Sequence, residues 1–272
     1  TIHHPISKDL KFQLKSTKSI FLKFLMVRWH SFLRMQIKVA KKLKSVIVVS
    51  ESSKQDIHDD FGLKKKVMKV ILNGIDTEAF YPDEKIKKIP FRIVTSASAD
   101  VPLKGLDYLL EAFSQVIKTY PEASLHVIGS SKKGSHTKRK IKNLNIKDKV
   151  HFYKDLSFKE VRDLYCSADI VVIPSLYEGF GFAIGEAMAC KVPVITTTGG
   201  AIPEVIEDCG IMVPPANSEA LEKAILELIP DEKLKNSLSE KGFRRIIEHL
   251  QWKKVADLMT ESYQKEINKM LS

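Results

Sequence analysis

The sequence predicts an α/β protein with a parallel sheet, whose second part is a Rossmann-like half. From Phe91 onwards, short apolar runs alternate with helix-length segments, and runs such as Ile170–Ile173 lack the polar alternation of a half-exposed strand. Parallel strands need crossover connections, which are nearly always right-handed, so this alternation predicts helices on both faces of the sheet. A length of 272 residues with 44% apolar content suffices for one large or two ordinary domains.

The first 90 residues contain few strand patterns. Their predicted elements are a strand end, a lysine-rich connection, a long helix, a strand, a helix and a strand, over 1–4, 5–16, 17–44, 46–49, 50–61 and 67–72. Ser50 or Ser52 is the expected cap of the second helix, and Gly62 is its expected end. Two strands and a strand end leave an unpaired sheet edge, so we expect this half to be incomplete. The polar stretch 82–90, between two prolines, predicts the interdomain linker.

The second part shows a regular succession of elements. Its predicted strands are 91–97, 123–129, 149–153, 170–174, 193–197 and 210–213. Its predicted helices are 105–119, 134–144, 157–167, 182–190, 201–207, 218–229, 231–249 and 252–270. We therefore expect one domain over 1–85, a second Rossmann-like domain over 86–250, and a C-terminal helix over 251–272.

The net charge of +11 is concentrated in the first part of the chain. Residues 1–90 contain 19 Lys and Arg against 9 Asp and Glu, and no acidic residue lies between Leu10 and Ser50. The segment 11–44 is therefore basic and amphipathic, which fits either a core helix with a solvated cationic face or a helix on an anionic membrane surface. It carries no nucleic-acid recognition motif, so we expect no nucleic acid partner.

The cysteines and the apolar runs indicate where in the cell the protein is expected. Cys166, Cys190 and Cys209 stand singly without C-x-x-C spacing, as buried free thiols in a reducing compartment do. Lys23 interrupts the longest candidate apolar run, so no segment is long enough to span a bilayer. We expect a cytoplasmic protein, with peripheral attachment to the inner face of the membrane left open.

A buried strand, a glycine-containing loop and a helix follow one another in the most informative stretch. In the loop, Gly179 and Gly181 flank Phe180, so backbone amides can approach a ligand closely at a helix amino terminus. That arrangement favours an anion such as a phosphate. Glu178 in the loop and Glu186 about two helical turns later border one small region from different elements.

The spacing of Glu178 and Glu186 resembles the E-x7-E signature of retaining glycosyltransferases with the GT-B fold, in particular glycosyltransferase family 4. Two glutamates alone are weak evidence, but four further segments resemble family segments and come in the family's order, over 73–76, 101–107, 193–200 and 203–205. The resemblance extends from His3 to near Trp252. It implies a GT-B architecture of two Rossmann-like domains, with the last helix packing back on the first domain.

The resemblance also implies roles for the loop and helix. Glu178 corresponds to the residue that contacts donor-sugar hydroxyls near the reacting carbon, and Glu186 to the residue that binds the ribose diol of the donor. Backbone groups that hold sugar and phosphate are expected at Gly179, Phe180, Gly181 and Phe182. A surface glutamate is the alternative for Glu186, but its apolar helix neighbours argue against it.

Four other positions complete the implied site. Lys104, at a helix start, corresponds to the family's donor-phosphate lysine. Ser98 lies in the same loop, where the family usually has Gly-Arg, so one phosphate cation is missing. Main-chain groups around Leu156 correspond to the base-contacting loop, with a plain connecting loop as the alternative. His3 matches a catalytic histidine near the reacting carbon, and the adjacent His4 leaves the register open by one residue.

We therefore expect a retaining, metal-independent glycosyltransferase of polysaccharide or cell-envelope biosynthesis. It would move a sugar from a nucleoside diphosphate sugar to an acceptor hydroxyl on a glycan, glycolipid or lipid-linked precursor. The alternative is a non-catalytic GT-B subunit that binds nucleotide without transfer. No His, Cys and Asp cluster has metal-ligand spacing, so neither a metal nor another cofactor is expected. Because the first half reads as incomplete, we expect the 272-residue chain to bind donor weakly and not to transfer sugar.

Overall fold

The chain forms two compact units. The computed structural model describes residues 1–3, 6–17, 19–97, 101–131 and 134–271. The first unit contains Thr1–Asn73 and Val255–Ser272, and the second contains Gly74–Lys254.

The stretch 82–90, which we expected to be an interdomain linker, belongs to the second unit. The N–H of Ile89 donates to the carbonyl of Ser167 at 2.9 Å, and the Asp83 carboxylate lies 3.5 Å from the Arg162 guanidinium. These contacts tie the stretch to the body of the second unit, so the division between the units falls earlier in the sequence.

The first unit contains few strands and several helices. They are helices α1 (Ile6–Ser16), α2 (Ile20–Trp29), α3 (Leu33–Ala40) and α4 (Glu51–Phe61), and strands β1 (Val46–Val48) and β2 (Met68–Val70). β1 and β2 pair in parallel, and an isolated bridge joins Ile2 to Val48, which confirms the strand end expected at 1–4. Ser50 caps α4, and Gly62 ends it with a φ of 67°, as expected.

Two sequence-based assignments in this unit were wrong. The lysine-rich connection is a helix from Ile6 onwards, because Ile6 and Leu10, one turn apart, pack against the unit's hydrophobic core. The expected long helix breaks into α2 and α3 at a 3₁₀ turn over His30–Phe32. The Met26 carbonyl accepts the backbone N–H of His30 and also lies 2.8 Å from the His30 imidazole.

The second unit contains one sheet of six parallel strands. The strands are β3 (Arg92–Ser96), β4 (Ser124–Ile128), β5 (Val150–Tyr153), β6 (Ile170–Ile173), β7 (Val194–Thr197) and β8 (Ile211–Val213). Their order in the sheet is β5-β4-β3-β6-β7-β8. Each observed strand begins and ends within one residue of its predicted bounds, so the predicted parallel sheet is confirmed.

Helices connect these strands or follow the last of them, as predicted. They are α5 (Leu106–Thr119), α6 (His136–Asn143), α7 (Phe158–Cys166), α8 (Phe182–Ala189), α9 (Ile202–Ile206), α10 (Ser218–Leu228) and α11 (Glu232–Arg245). The last helix, α12 (Trp252–Leu271), belongs to the first unit from Val255 onwards. A π-helical turn over Ile246–Leu250 follows α11, where one helix to residue 249 was expected. Within the described residues, no helix combines the length and apolar character that crossing a membrane requires.

The core of the second unit explains the apolar run of β6. Ile170 and Val172 belong to a cluster with buried residues of α5 and α10, and Val171 and Ile173 on the opposite face are equally buried. Both faces of the strand are therefore covered, and the carboxyl end of β6 is rigidly placed for the loop that follows it.

Candidate functional site

The strand order of the second unit has a switch point between β3 and β6. The chain runs outward from β3 through β4 to β5, then returns beside β3 as β6 and runs outward through β7 to β8. In open parallel sheets, ligands bind in the crevice outside the carboxyl ends of the strands at such a point. The loops that carry Lys104 and Glu178 follow β3 and β6, so both residues lie at this crevice.

Lys104 and Glu178 form an ion pair there, although 74 positions separate them in sequence. The Lys104 ammonium donates to Glu178 Oε1 at 2.7 Å, and the Ser175 hydroxyl donates to the same oxygen at 2.6 Å. The side chain of Glu178 is 16% exposed and that of Lys104 is 39% exposed, so a ligand can reach the pair from solvent. No described residue donates to Oε2 of Glu178, which is therefore available as an acceptor for a hydroxyl group.

Three loops brace this pair. Gly105 has a φ of 65°, and a Cβ at this position would lie 1.9 Å from the Pro174 carbonyl oxygen, so only glycine allows the loops after β3 and β6 to approach. On the other side, the Ala201 N–H donates to the Glu178 carbonyl at 2.9 Å. The loop after β7 thus holds the backbone of Glu178 in place.

The loop after β6 enters α8 through Gly181, whose φ of 103° favours glycine. Gly179 and the buried Phe180 precede it, and Phe182 is 46% exposed with its ring edge-on to that of Phe180 at 5.0 Å. No side chain caps the start of α8, and its first turn contains no acidic residue. The amides of this turn therefore present partial positive charge to the crevice, which favours an anion.

Glu186 lies in the middle of α8 beside a cavity of about 210 Å³. Its walls include four aromatic residues, Phe80, Phe158, Phe182 and Trp252. Burial raises the pKa of Glu186 to about 7. None of the described residues forms a hydrogen bond or ion pair with this carboxyl group. A carboxyl group in this state can pair with ligand hydroxyls without first breaking a protein contact.

Leu156 borders a second cavity, of about 370 Å³, at the carboxyl ends of β4 and β5. Its other walls are Ile128, Gly129, Ser130, Tyr153, Lys154, Asp155 and Val161. Lys154 and Asp155 pair with each other at 2.9 Å and are both exposed. Leu156 therefore borders an open space, and its assignment to a base-contacting loop stays a prediction.

The roles of two predicted site residues, His3 and Ser98, stay predictions. His3 is exposed in the first unit, directly after the bridge at Ile2, and its role stays a prediction. Ser98 and His4 lie outside the described residues. In the ranges that the structure does describe, no group of three or more His, Cys, Asp and Glu side chains could hold a metal ion.

Sequence reasoning missed contacts that only the folded chain creates. Neither carboxylate of the signature has a basic neighbour in sequence, yet Lys104 pairs with Glu178 in the structure. His126, which the sequence suggests is an ordinary structural histidine, lies 2.8 Å from the hydroxyl of Tyr153 in the wall of the second cavity. The signal that could have found it is a histidine two positions after Ser124 in an otherwise apolar strand.

Comparison with known proteins shows the family and the fold of the chain. Residues 80–245 match the family model of glycosyl transferases group 1, and residues 1–79 match the model of glycosyltransferase family 4. The MMP alpha-(1->4)-mannosyltransferase of Mycolicibacterium hassiacum is 34% identical over 270 residues, which are 98% of this chain and 65% of that protein. The chain therefore spans about 65% of the length of this relative.

Solved structures show the same fold. The sucrose-phosphate synthase from Thermosynechococcus elongatus matches with a TM-score of 0.77 and 23% identity, over 96% of this chain and 66% of that chain. The Anabaena protein HepE in complex with UDP-glucose matches with a TM-score of 0.77 and 21% identity, over 86% of this chain and 67% of that chain. These neighbours have the GT-B fold, which confirms the expected fold class.

Proposed function

Because this chain belongs to the group 1 glycosyl transferases, we propose that it transfers a sugar from a nucleoside diphosphate sugar to an acceptor hydroxyl, with retention of configuration. The observation that carries the proposal is the Lys104–Glu178 pair, 2.7 Å apart at the switch point beside the start of α8. One cation and a set of helix amides then lie where a diphosphate leaving group gains negative charge. Charge stabilisation of this preorganised kind is among the largest contributions to catalysis.

The ion pair also suggests how a donor enters the site. Without a ligand, the Glu178 carboxylate neutralises Lys104. A bound diphosphate would compete for the lysine, whose flexible and partly exposed side chain can turn towards it. Glu178 would then keep its bond from Ser175 and accept hydroxyls of the donor sugar. In this proposal Glu186 binds the ribose diol, and the main chain around Leu156 contacts the base.

A titration of donors tests these roles. UDP, GDP and ADP sugars are titrated calorimetrically into the wild-type chain and into Lys104→Met. Loss of a charge-assisted hydrogen bond is expected to weaken the donor that binds by about 1.5–3 kcal/mol. Lys118→Met, an exposed lysine of α5, is the matched control and should leave the affinity unchanged. Equal donor affinity in Lys104→Met and wild type would contradict the assignment of Lys104.

We further propose that transfer needs no metal ion. Lys104 and the amides at the start of α8 supply the positive charge that a diphosphate requires. In a full-length protein that contains this chain, EDTA should leave the rate of transfer unchanged. A rate that only Mn²⁺ or Mg²⁺ restores would count against the proposal.

A non-catalytic subunit that binds nucleotide without transfer remains the alternative. Product analysis with a full-length protein and glycan, glycolipid and lipid-linked acceptors decides between the enzyme and the subunit. The anomeric configuration of the product tests retention. Donor binding without any transfer to these acceptors would favour the subunit. Transfer with inversion would refute the retaining mechanism while leaving the enzyme class intact.

The first unit supports a second proposal, that the protein docks on an anionic membrane surface through residues 11–44. α2 has no buried residue, and Ile20, Phe21, Phe24 and Trp29 are between 61% and 85% exposed. The segment itself contains no acidic residue, although Lys11 at its start pairs with Asp60. Exposed aromatic rings beside cations fit the headgroup layer of a membrane. Such docking would place a cytoplasmic protein on the inner face of the membrane, close to lipid-linked acceptors.

Vesicle binding tests this docking. An anionic lipid surface attracts each nearby Lys or Arg by about 1 kcal/mol, so binding should rise with anionic lipid and fall with salt. The double variant Phe21→Ser/Phe24→Ser should bind more weakly, whereas Tyr263→Ser, an exposed aromatic residue of α12, should behave as wild type. Equal binding to neutral vesicles at every salt concentration would refute the proposal.

A further inference from the structure

A polar stripe crosses one face of the second unit's sheet, next to the cavity that Leu156 borders. Parallel pairing sets His126 opposite His151 and Ile128 opposite Tyr153, so these four residues share one face of the sheet. His126 is only 5% exposed. A buried imidazole is costly unless its nitrogens have hydrogen-bond partners.

Both ring nitrogens of His126 have such partners. Nδ1 lies 2.8 Å from the Tyr153 hydroxyl, and Nε2 lies 3.1 Å from the Ser124 hydroxyl. Burial, followed by the nearby Arg92 and His151 side chains, lowers the pKa of His126 to about 4. The ring is therefore neutral at neutral pH and carries one N–H, so it donates to one hydroxyl and accepts from the other.

The hydrogen bond to His126 fixes the orientation of the Tyr153 ring beside the cavity. The rings of Tyr153 and His126 lie nearly parallel, at 15° with their centroids 5.6 Å apart. Tyr153 is the last residue of β5 and is only partly buried. It lines the cavity together with apolar residues, Ile128, Leu156 and Val161, and polar ones, Ser130, Lys154 and Asp155. A fixed aromatic ring that borders an open cavity is a surface on which a heterocyclic base stacks.

We infer that Tyr153 is the stacking surface for the nucleobase of the donor and that His126 is the positioning residue that fixes its ring. The inference rests on the proposed function, because it assigns this cavity to the base of a nucleoside diphosphate sugar. Every base has a flat aromatic face, so Tyr153 contributes affinity for any base rather than choosing among bases.

The test compares nucleoside diphosphates with pyrophosphate, which has the phosphates and lacks the base. UDP, GDP, ADP and pyrophosphate are titrated into wild type, Tyr153→Leu, Tyr153→Phe and the control Tyr263→Leu, an exposed tyrosine of α12. Tyr153→Leu is expected to weaken the nucleotide that binds by about tenfold and to change pyrophosphate affinity by less than about twofold. Tyr263→Leu should change neither affinity.

The positioning role of His126 has its own readout. His126→Gln keeps a donor and an acceptor, so it should retain more nucleotide affinity than His126→Leu. The losses in His126→Leu and Tyr153→Phe should not add in the double variant, because both remove the same hydrogen bond. Additive losses would overturn the positioning role. Thermal unfolding of each variant shows whether it is folded. If Tyr153→Leu does not fold, Tyr153→Phe still tests whether the hydrogen bond to His126 contributes to nucleotide affinity.

The outcomes separate this inference from the proposed function. If wild type binds a nucleotide and Tyr153→Leu binds it equally well, the stacking role is overturned and the proposed function stands. If Tyr153→Leu weakens the affinity for nucleotide and for pyrophosphate by the same factor, the residue affects the whole site and the stacking role is again overturned. If wild type binds none of the three nucleotides, the proposed function fails and the inference fails with it.

Discussion

Replacing Glu186 with glutamine should stabilise the protein at pH 8 and have little effect near pH 4. Burial raises the pKa of Glu186 to about 7 from an ordinary value of 4.5. Between these values the folded state binds a proton that the unfolded state has already released. The free energy of unfolding therefore falls as pH rises from about 4.5 to 7, and it stays reduced above pH 7.

The size of this effect follows from the two pKa values. At about 1.4 kcal/mol per pKa unit, the difference between 4.5 and 7 corresponds to about 3 kcal/mol at pH 8. Glutamine has the shape of glutamate and no charge to desolvate, so Glu186→Gln should recover most of this loss. The same change removes an acceptor from the cavity and should weaken donor binding, so stability and binding are expected to move in opposite directions.

Neighbouring groups do not obscure this measurement. Burial raises the pKa of Tyr165 well above 10.0, out of the range studied. A hydrogen bond with Cys190 lowers the pKa of Cys166 to about 7, so this thiol titrates in the same range. Glu186 is not among the groups that shift the pKa of Cys166, so this titration is common to wild type and variant and cancels in their difference.

The assay uses the tryptophan in the cavity wall as its probe. The chain has two tryptophans, and Trp29→Phe leaves Trp252 as the single fluorescent reporter. Urea unfolding at pH 5 and pH 8 should show the stabilisation by Glu186→Gln growing by about 2–3 kcal/mol between them. Glu227→Gln, an exposed glutamate of α10, is the control and should show no such growth. A stabilisation by Glu186→Gln that is the same at both pH values would refute the reasoning.

Two further predictions concern the scaffold of the site. Gly105→Ala should lower the free energy of unfolding by more than about 2 kcal/mol, because its Cβ would lie 1.9 Å from a carbonyl oxygen at a φ of 65°. Gly134→Ala, at a φ of 75° with no atom within 4 Å of the added Cβ, should lower the free energy of unfolding by only about 1 kcal/mol. If thermal unfolding shows equal destabilisation by the two variants, the close contact at Gly105 is not what makes its replacement costly. Lys235→Met should destabilise by about 3 kcal/mol, because it removes the partner 2.6 Å from the buried Asp169 carboxylate. Lys233→Met, which changes an exposed lysine, is the control in urea unfolding. Equal free energies of unfolding for Lys235→Met and Lys233→Met would show that another group compensates the charge of Asp169.

The sequence by itself determined the architecture of the second unit and the location of its main loop. Continuous apolar runs identified β6 and its neighbours to within one residue, because covering both faces of a strand leaves no place for polar alternation. Ser50 and Gly62 marked the ends of α4 for equally local reasons, a side-chain cap and a left-handed φ. The signature around Glu178 and the family resemblance likewise depend only on order and spacing along the chain.

The tertiary structure alone decided which of these residues meet and in what state. The Lys104–Glu178 pair joins loops that follow different strands, and the His126–Tyr153 bond joins neighbouring strands, so neither has a local signal. The pKa of Glu186 depends on burial among walls that several elements supply. α1 was missed because its apolar positions acquire meaning only against a core formed by later segments. Contacts and desolvation depend on distances between residues remote in sequence, which periodicity and spacing do not contain.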